Sequence, residues 1–306
     1  MIASPLPPPS TDAPVLREDD LFLLLRHLAR VHGQRLDLYR EKCLRRRVEA
    51  RLRLHGIGSC GEYLRYLRAE PAEAERLRQA LTIPVSRFFR NGSSFHALER
   101  LALPEILRMR GGDRVRMWSA GVARGEEAYS LAILWHRFTA DLPAAPPLSV
   151  LGTDVDEEGL ARARKGAYPS ESFVEVPPVD VERFFVREGE QHRVAPRIRE
   201  RVTFRAGDLT GELRVRGQDL IACRNVLIYF DRALQESLGE AFYRALRPGG
   251  YLLLGKVETL PGRARRLFEA VDLRERLFRK PLNALVPPPA AAMTSAGISP
   301  SAGERP

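Results

Sequence analysis

The chain has 306 residues, 44% of them apolar, which is enough to bury the core of one large domain or two ordinary domains without disulfides. Its three cysteines show no metal-ligand or disulfide spacing, so we expect no metal site and a reducing, cytoplasmic environment. A formal net charge of +10 favours an anionic partner. Only four of the 49 basic residues are lysines, however, and arginine also recognises acidic protein surfaces, so charge alone does not identify the partner.

The two ends of the chain carry no pattern typical of a folded element. Residues 1–14 and 283–306 are rich in Pro, Ala and Ser, and we expect both to be disordered tails. The N-terminus has no basic start followed by an apolar run, and the apolar stretch LFLLL near it is far too short to span a membrane. We therefore expect a protein that is neither exported nor inserted in a membrane.

Residues 15–92 are predicted to form a small helical domain. Apolar residues recur at helical spacing, and capping residues mark the helix starts. The signals are Leu21, Leu24, Leu25 and Leu28 in a first helix, Leu44, Val48 and Leu52 in a second, Ser59 with Glu62 before a third, and Pro71 opening a fourth.

Arginines outnumber acids around the second of these helices. The seven are Arg35, Arg40, Arg45, Arg46, Arg47, Arg51 and Arg53. Such a face can dock an acidic helical partner, or it can be an ordinary solvated helix surface.

Residues 93–282 change to an alternation of strands and helices. One helix covers about 93–110, and short apolar runs typical of buried parallel strands follow it. These runs are VRMWSAG (115–121), LSVLGTDV (148–155), VTFRAGD (202–208), DLIACRN (219–225) and YLLLGKVE (251–258). The alternation predicts an α/β fold with a doubly wound, Rossmann-like sheet, interrupted at about 170–201 by an inserted β-hairpin.

Acidic side chains follow successive strands of this predicted sheet, where a parallel sheet binds its ligand. Glu126 and Glu127 follow the first strand where a phosphate-binding loop would carry closely spaced glycines, so the ligand there should be cationic. Asp154 ends the second strand and can accept from a ribose diol, and Asp208 after the third can accept from an exocyclic amine. A cationic end, a ribose and an amine-bearing ring without phosphates together indicate S-adenosylmethionine.

The order and spacing of several segments resemble the chemotaxis receptor glutamate O-methyltransferases, the CheR-type family. The segments are FFRN, WSAGVARGEEAYSLA, GTDVDEEGLARARKGAY, DLIACRNVLIYFDRALQ and LRPGGYLLLGKVETL. The resemblance covers roughly residues 15–282. It implies a class I S-adenosylmethionine-dependent methyltransferase domain with a β-subdomain, preceded by a helical domain.

The resemblance also implies site residues. It places the cofactor against Ser86, Arg90, Gly121, Glu126, Asp154, Asp208, Leu209, Cys223 and Arg224. It places Arg90 and Tyr229 beside the transferred methyl group, with Arg47 facing the active site from the helical domain. The loop VSRFFRN (85–91) then resembles a lid, in which we expect Phe88 and Phe89 to exclude water.

The sequence departs from the family pattern at a few positions. Ser86 replaces a threonine and keeps its hydroxyl, and Asp208 replaces an asparagine and keeps an acceptor, so we expect cofactor binding to persist. Pro84 and Lys256 also depart, and both fall in loops that we expect to face the pocket. They therefore bear on the methyl acceptor more than on the reaction.

The resemblance implies a monomeric enzyme that methylates glutamate carboxylates of an acidic, helical receptor cytoplasmic domain, with no nucleic-acid partner. Two alternatives stay open at this point. The same fold can methylate a different acceptor, or it can bind S-adenosylmethionine as a non-catalytic scaffold. The segment RNVLIY lacks the paired prolines that base methyltransferases commonly carry at this position, which disfavours a nucleic-acid base as acceptor.

Overall fold

A computed structural model describes residues 20–21, 23–24, 26–28, 41–82, 86–211 and 214–283. The predicted tails lie outside these residues, except for Asn283, and so does Pro84. In the described ranges, no helix combines the length and the apolar character needed to cross a membrane.

The helical part of the chain buries one stripe of each helix in a common core. Three helices form this part, namely α1 (Glu41–Leu54), α2 (Cys60–Ala69) and α3 (Pro71–Thr82). The described residues between 20 and 28 are also helical. Their core contains Leu21, Leu24, Leu28, Leu44, Val48, Leu52, Tyr63 and Leu77, each at most 1% exposed. The predicted cap of α2 is confirmed, because Ser59 Oγ accepts a hydrogen bond of 3.3 Å from the amide of Glu62.

A buried carboxylate lies in this helical core. Glu73 of α3 is fully buried and accepts from Arg51 Nη2 of α1 at 2.6 and 2.5 Å. The hydroxyl of Tyr63 donates to the same carboxylate at 2.8 Å. Burial raises the pKa of Glu73, but the hydrogen bonds from Arg51 and Tyr63 outweigh burial and hold the pKa below its usual value. The pair therefore ties α1 to α3 through a fully desolvated acid.

We expect Arg51→Ala to destabilise the helical core by about 3 kcal/mol, because it removes the closest cation from buried Glu73 and leaves the carboxylate only His55 at 3.0 Å and the exposed Arg76 at 3.8 Å. Since the folded pKa of Glu73 is lowered, the ion pair stabilises the fold above the ordinary glutamate pKa, and this contribution is lost as the pH falls through the folded pKa. Urea unfolding at several pH values measures both effects. Arg108→Ala, which removes an exposed partner of Glu105, is the matched control and should change nothing measurable. Equal unfolding curves for the two variants would contradict the prediction.

The α/β part is built on one large twisted sheet. Three consecutive helical segments precede the sheet in the chain. They are α4 (Gly92–Ala97), a π-helical turn (Leu98–Ala102) and α5 (Leu103–Arg110). The strands are β1 (Val115–Ala120), β2 (Leu148–Asp154), β6 (Val202–Ala206), β7 (Gln218–Cys223), β8 (Leu246–Leu254), β9 (Glu269–Asp272) and β10 (Leu277–Arg279). Their order is β6-β2-β1-β7-β8-β10-β9, parallel from β6 to β8 and antiparallel at β10 and β9. The five predicted parallel strands are confirmed.

Helices cover both faces of this sheet. They are α6 (Glu126–Phe138), α7 (Glu157–Lys165), α10 (Arg232–Ala245) and α11 (Gly262–Leu267). Successive strand residues point to opposite faces, so Met117 joins one apolar cluster and Trp118 the other. The sheet is therefore buried on both sides, which explains the uninterrupted apolar runs in the sequence.

The inserted segment forms more than the predicted hairpin. The hairpin itself is β4 (Phe185–Glu188) and β5 (Gln191–Val194), and β3 (Ala167–Pro169) pairs antiparallel with the other edge of β5. Two short helices, α8 (Pro178–Phe184) and α9 (Pro196–Arg199), flank this three-stranded sheet. The third strand was missed because three residues containing a proline carry no alternating pattern.

Candidate functional site

The carboxyl ends of the parallel strands surround a cavity of about 400 Å³. Its walls come from the loops after β1, β2, β6 and β7 and from the loop before α4. Eight predicted site residues line it, namely Ser86, Arg90, Gly121, Asp154, Asp208, Leu209, Arg224 and Tyr229. Glu126, Cys223 and Arg47 do not belong to the lining.

The loop after β1 approaches its neighbours closely. Gly121 has a φ of 77° and donates its amide to the carbonyl of Thr153 at 2.8 Å. A Cβ on Gly121 would lie 2.4 Å from Val226 Cγ2, so only glycine lets this loop pass beside the loop after β7. The backbone of Gly121 can therefore form one side of the cavity.

Asp154 stands at the end of β2 with both oxygens oriented by the backbone. Its Oδ2 accepts from the amide of Ala123 at 2.8 Å and its Oδ1 from the amide of Asp156 at 3.0 Å. Burial raises the pKa of Asp154, and these backbone donors partly oppose that effect. Each oxygen retains a second lone pair, so the carboxylate can accept from a vicinal diol in the cavity.

We expect Asp154→Ala to weaken S-adenosylmethionine binding by about 1–3 kcal/mol, the cost of leaving a buried hydrogen-bonding group without its partner. Calorimetric titration of the cofactor into both proteins measures the loss. Asp113→Ala, an exposed aspartate paired with Arg110, is the control and should leave the affinity unchanged. An unchanged affinity for Asp154→Ala would remove this residue from the site.

The loop after β6 supplies another oriented acid. Asp208 lines the cavity, and its Oδ1 accepts from the amide of Thr210 at 2.8 Å, which fixes the side chain in a local turn. Leu209 beside it is buried and adds an apolar wall. The pair offers a hydrogen-bond acceptor next to an apolar surface, as a flat, amine-bearing ring requires.

The acid that faces the cavity after β1 is Glu127, whereas the prediction was Glu126. Successive helical residues point about 100° apart, so only one of two adjacent glutamates can face a given side. Glu127 Oε1 accepts from Ser119 Oγ at 2.8 Å, and its Oε2 lies 3.2 Å from Arg224 Nη1. Glu126 is 1% exposed, hydrogen bonds to Ser86 and has an Oε2 without a partner. Burial raises the pKa of Glu126, with the hydrogen bonds opposing.

A similar one-residue difference separates Cys223 from Arg224. Cys223 is the last residue of β7, is fully buried and packs in the apolar cluster that contains Trp118. It does not line the cavity, because its side chain points into that cluster, and its contact with the cofactor stays a prediction. Arg224 instead reaches across the cavity and donates from Nη2 to the carbonyl of Arg90 at 2.6 Å. Together with Glu127, it joins the loops after β1 and β7 to the loop before α4.

The two phenylalanines of the loop before α4 point away from the cavity. Phe88 is fully buried and packs against the inserted β-subdomain, 5.1 Å from Phe173 and 4.9 Å from Phe185 between ring centroids. Phe89 has a φ of 51° and packs 5.0 Å from Phe95. Neither lines the cavity, so the expectation that they wall off water there was wrong. Their burial anchors the loop.

Tyr229 connects the cavity to the helical part of the chain. It ends a 3₁₀ turn (Leu227–Tyr229) and lines the cavity. The guanidinium carbon of Arg47 in α1 lies 4.6 Å from the centroid of the tyrosine ring, and Arg47 Nη1 donates to the carbonyl of Leu81. Arg47 thus covers Tyr229 from outside the cavity, although it was predicted to face the site directly.

Lys256 also lies elsewhere than expected. Its Nζ donates to Ser93 Oγ at 2.7 Å and lies 3.3 Å from Glu275 Oε1, on the wall of a different surface groove. This departure from the family pattern therefore fastens α4 to the turn before β10. It does not alter the cavity wall.

Comparison with known proteins agrees with the sequence resemblance. Residues 84–277 match the family described as CheR methyltransferase, SAM binding domain, and residues 19–82 match CheR methyltransferase, all-alpha domain. The chain belongs to the CheR methyltransferase family. The predicted family and α/β fold are confirmed, and the protein is an S-adenosylmethionine-dependent methyltransferase.

Several relatives match most of the chain. A chemotaxis protein methyltransferase of Listeria monocytogenes is 33% identical over 79% of this chain and 91% of its own length. Chemotaxis protein methyltransferase 2 of Pseudomonas aeruginosa is 34% identical over 82% of this chain and 93% of its own. An uncharacterized 104.1 kDa protein of Rhodobacter capsulatus is 33% identical over 79% of this chain, which spans only 25% of that longer protein.

Some solved structures align at low identity. A glycopeptide N-methyltransferase, MtfA, complexed with S-adenosyl-L-methionine aligns at 17% identity over 46% of each chain, with a TM-score of 0.28, too low to support an argument.

The cavity suits the cofactor of this family. Four acidic residues, Glu127, Asp154, Asp156 and Asp208, line the cavity together with three arginines, and most of the remaining wall is apolar side chain or backbone. Sequence reasoning missed several lining residues, namely Arg87, Phe95, Val122, Ala123, Val155, Asp156, Gly207, Asn225, Val226, Ile228 and Phe230. Most of them are neighbours of predicted residues, so extending each strand-end motif by a residue or two would have found them.

Proposed function

We propose that this methyltransferase modifies glutamate carboxylates of a chemoreceptor-like protein. The observation that carries the proposal is that Arg90 and Tyr229 line the same cavity at the strand ends as four acidic residues. The names of the relatives as chemotaxis protein methyltransferases support the same substrate class.

We assign the cofactor contacts from the chemistry of each wall. Asp154 binds the ribose diol, Asp208 with Leu209 binds the adenine, and Glu127 binds the cationic amino group of the methionine end. Ser86 and Gly121 complete the wall, and Arg224 holds the surrounding loops. Once bound, S-adenosylmethionine supplies an electrophilic methyl group on its sulfonium.

The acceptor needs alignment more than activation. A glutamate carboxylate is already ionised at neutral pH, so no strong general base is required. Arg90 can bind that carboxylate through two parallel hydrogen bonds from its guanidinium. These bonds position the carboxylate and displace the water that would otherwise solvate it. Tyr229, held by Arg47, borders the same space and can donate to the carboxylate or pack along the methyl path.

Transfer of radiolabel from methyl-labelled cofactor to purified receptor cytoplasmic fragments tests the proposal. Base-labile counts on the receptor are expected, because methyl esters of glutamate hydrolyse in base. Base-stable counts, or counts on another acceptor only, would contradict the substrate. Tight cofactor binding without transfer to any acceptor would identify a scaffold instead.

The basic helix α1 is our proposed docking surface for the acidic receptor helix. The seven predicted arginines do not act together, because Arg51 pairs with buried Glu73 and Arg47 covers Tyr229. Arg35 and Arg40 lie outside the described residues. Arg46 and Arg53 remain exposed, seven residues apart on one side of α1.

We expect Arg46→Glu with Arg53→Glu to slow receptor association at least tenfold at low salt and to flatten its salt dependence, because complementary charge steers encounter. Surface plasmon resonance at several salt concentrations measures the rate. Arg108→Glu with Arg162→Glu, which reverses two exposed arginines outside the helical part, is the charge-matched control. If both sets of variants associate alike, the docking surface lies elsewhere.

A further inference from the structure

One buried carboxylate organises the cavity loop after β7. The loop contributes Arg224, Asn225, Val226, Ile228, Tyr229 and Phe230 to the cavity lining, more than any other loop. It includes a left-handed residue, Asn225 with a φ of 61°, so its path is not an intrinsically favoured one. Something outside the loop must hold it.

Glu258, which follows β8, binds this loop through its backbone. Its Oε1 accepts from the amides of Val226 at 2.8 Å and Ile228 at 3.3 Å. Its Oε2 accepts from the amides of Asn225 at 2.9 Å and Gly255 at 2.6 Å. Four amides from the ends of two adjacent strands thus converge on a single carboxylate that is 3% exposed.

No cation pairs with this acid among the described residues. Glu258 takes part in none of their ion pairs, so its charge is balanced by amide donors alone, as in an anion nest. Burial raises the pKa of Glu258 and the four amides oppose that effect. Burying a carboxylate costs free energy, and here three of its four hydrogen bonds come from the cavity loop and the fourth from Gly255.

The neighbouring glycine makes room for this arrangement. A Cβ on Gly255 would lie 2.5 Å from Glu258 Oε2 and 2.9 Å from the amide nitrogen of Asn225. A side chain at this position would therefore separate the carboxylate from the loop. Gly255 and Glu258 act as a pair, which gives a second, independent way to disturb the contact.

We infer that Glu258 is a positioning residue for the methyltransferase site, acting through the backbone of Asn225, Val226 and Ile228 to place the cavity wall that ends in Tyr229. The inference rests on the proposed assignment of this cavity as the cofactor and acceptor site. Glutamine cannot replace the acid, because its amide group has one acceptor oxygen and would present its own donors to two of the four amides.

The test combines cofactor titration with amide hydrogen exchange on the full chain, well below the melting temperature of each variant. Glu258→Gln is expected to weaken S-adenosylmethionine binding at least tenfold and to speed exchange at residues 225, 226 and 228, with β1 unchanged. Gly255→Ala is expected to have the same two effects while the carboxylate is retained. Binding within twofold of the parent and unaltered exchange would overturn the inference.

Asp219→Asn is the matched control for a merely structural effect. Asp219 is also a buried carboxylate that accepts a backbone amide, that of Arg116 at 2.8 Å, but it lies at the opposite end of β7. This variant is expected to melt earlier and to bind the cofactor within twofold of the parent. Equal loss of affinity in Asp219→Asn and Glu258→Gln would reduce Glu258 to a general stabilising residue and overturn the inference.

Two further measurements separate the possible failures. If Asp154→Ala weakens binding and Glu258→Gln does not, the positioning role alone is wrong; if neither weakens it, the assignment of the cavity is wrong. The unsubstituted protein provides a test that needs no variant to fold. Amides 225 and 226 should exchange as slowly as those of β7, and fast exchange there would contradict the inference.

Discussion

Arg90→Ala is expected to reduce methyl transfer to receptor fragments roughly a hundredfold, the loss typical of a misplaced reacting group. Arg90 lines the cavity, and its main-chain carbonyl is held by Arg224 at 2.6 Å. It lies between Phe89 and Asn91, both with left-handed backbone, so the position of the guanidinium is set by a rigid loop. Cofactor affinity should fall less than turnover, because Asp154 and Glu127 remain. Single-turnover kinetics with calorimetric cofactor binding separates the two quantities.

Arg90→Lys should restore only part of the activity, since an ammonium cannot form the planar fork that a guanidinium makes with a carboxylate. Arg108→Ala removes an equally charged, exposed side chain on α5 and serves as the control, with unchanged turnover expected. If Arg90→Ala methylated receptor at a near-normal rate, the proposed role in holding the acceptor would be wrong.

The sheet could be predicted because its strands are buried on both faces. Runs such as LIAC (220–223) are apolar without interruption, and this pattern is typical of a parallel sheet with helices on both sides. β9 (Glu269–Asp272) and β10 (Leu277–Arg279) were missed, because four and three residues of mixed polarity give no periodic signal. β10 is placed by antiparallel pairing with β8, which is a long-range contact, and β9 by antiparallel pairing with β10.

The sequence predicted where the site lies, at the ends of the strands, but it did not identify every residue that lines it. The acids Asp154 and Asp208 follow their strands directly, and both line the cavity. Glu126 and Cys223 do not line the cavity, whereas their neighbours Glu127 and Arg224, which the sequence also singled out, do. The direction of a side chain depends on where the helix or strand begins, and a sequence pattern places that boundary only to within a residue or two. The side chains of Glu126 and Cys223 are instead buried beside the cavity.

Contacts between distant parts of the sequence could not be predicted at all. Glu258 lies 30 to 33 residues beyond the three amides of the cavity loop from which it accepts hydrogen bonds, and the sequence shows only an isolated acid after a strand. Likewise, Arg51 counted toward a basic surface until its partner Glu73, 22 residues away, was found buried beside it. A charge count gives the number of cations but not their partners.

Phe88→Ala is expected to destabilise the α/β part of the chain by about 3–5 kcal/mol, the cost of emptying a core position of an aromatic ring. Phe88 is fully buried and contacts Phe173, Phe185 and Tyr168, all in or beside the inserted β-subdomain. The ring therefore fastens the loop that carries Arg90 to that subdomain. Its loss should lower the melting temperature and also loosen the loop.

Phe88→Leu is the graded comparison, because it keeps most of the apolar volume and loses only the ring contacts. We expect it to retain more stability than Phe88→Ala and to lose activity in the same proportion. Melting curves run beside the methylation assay distinguish the two possible roles of this ring. If Phe88→Ala melted like the parent yet lost activity, the ring would act on the reaction itself, and the original expectation of a water-excluding wall would be restored.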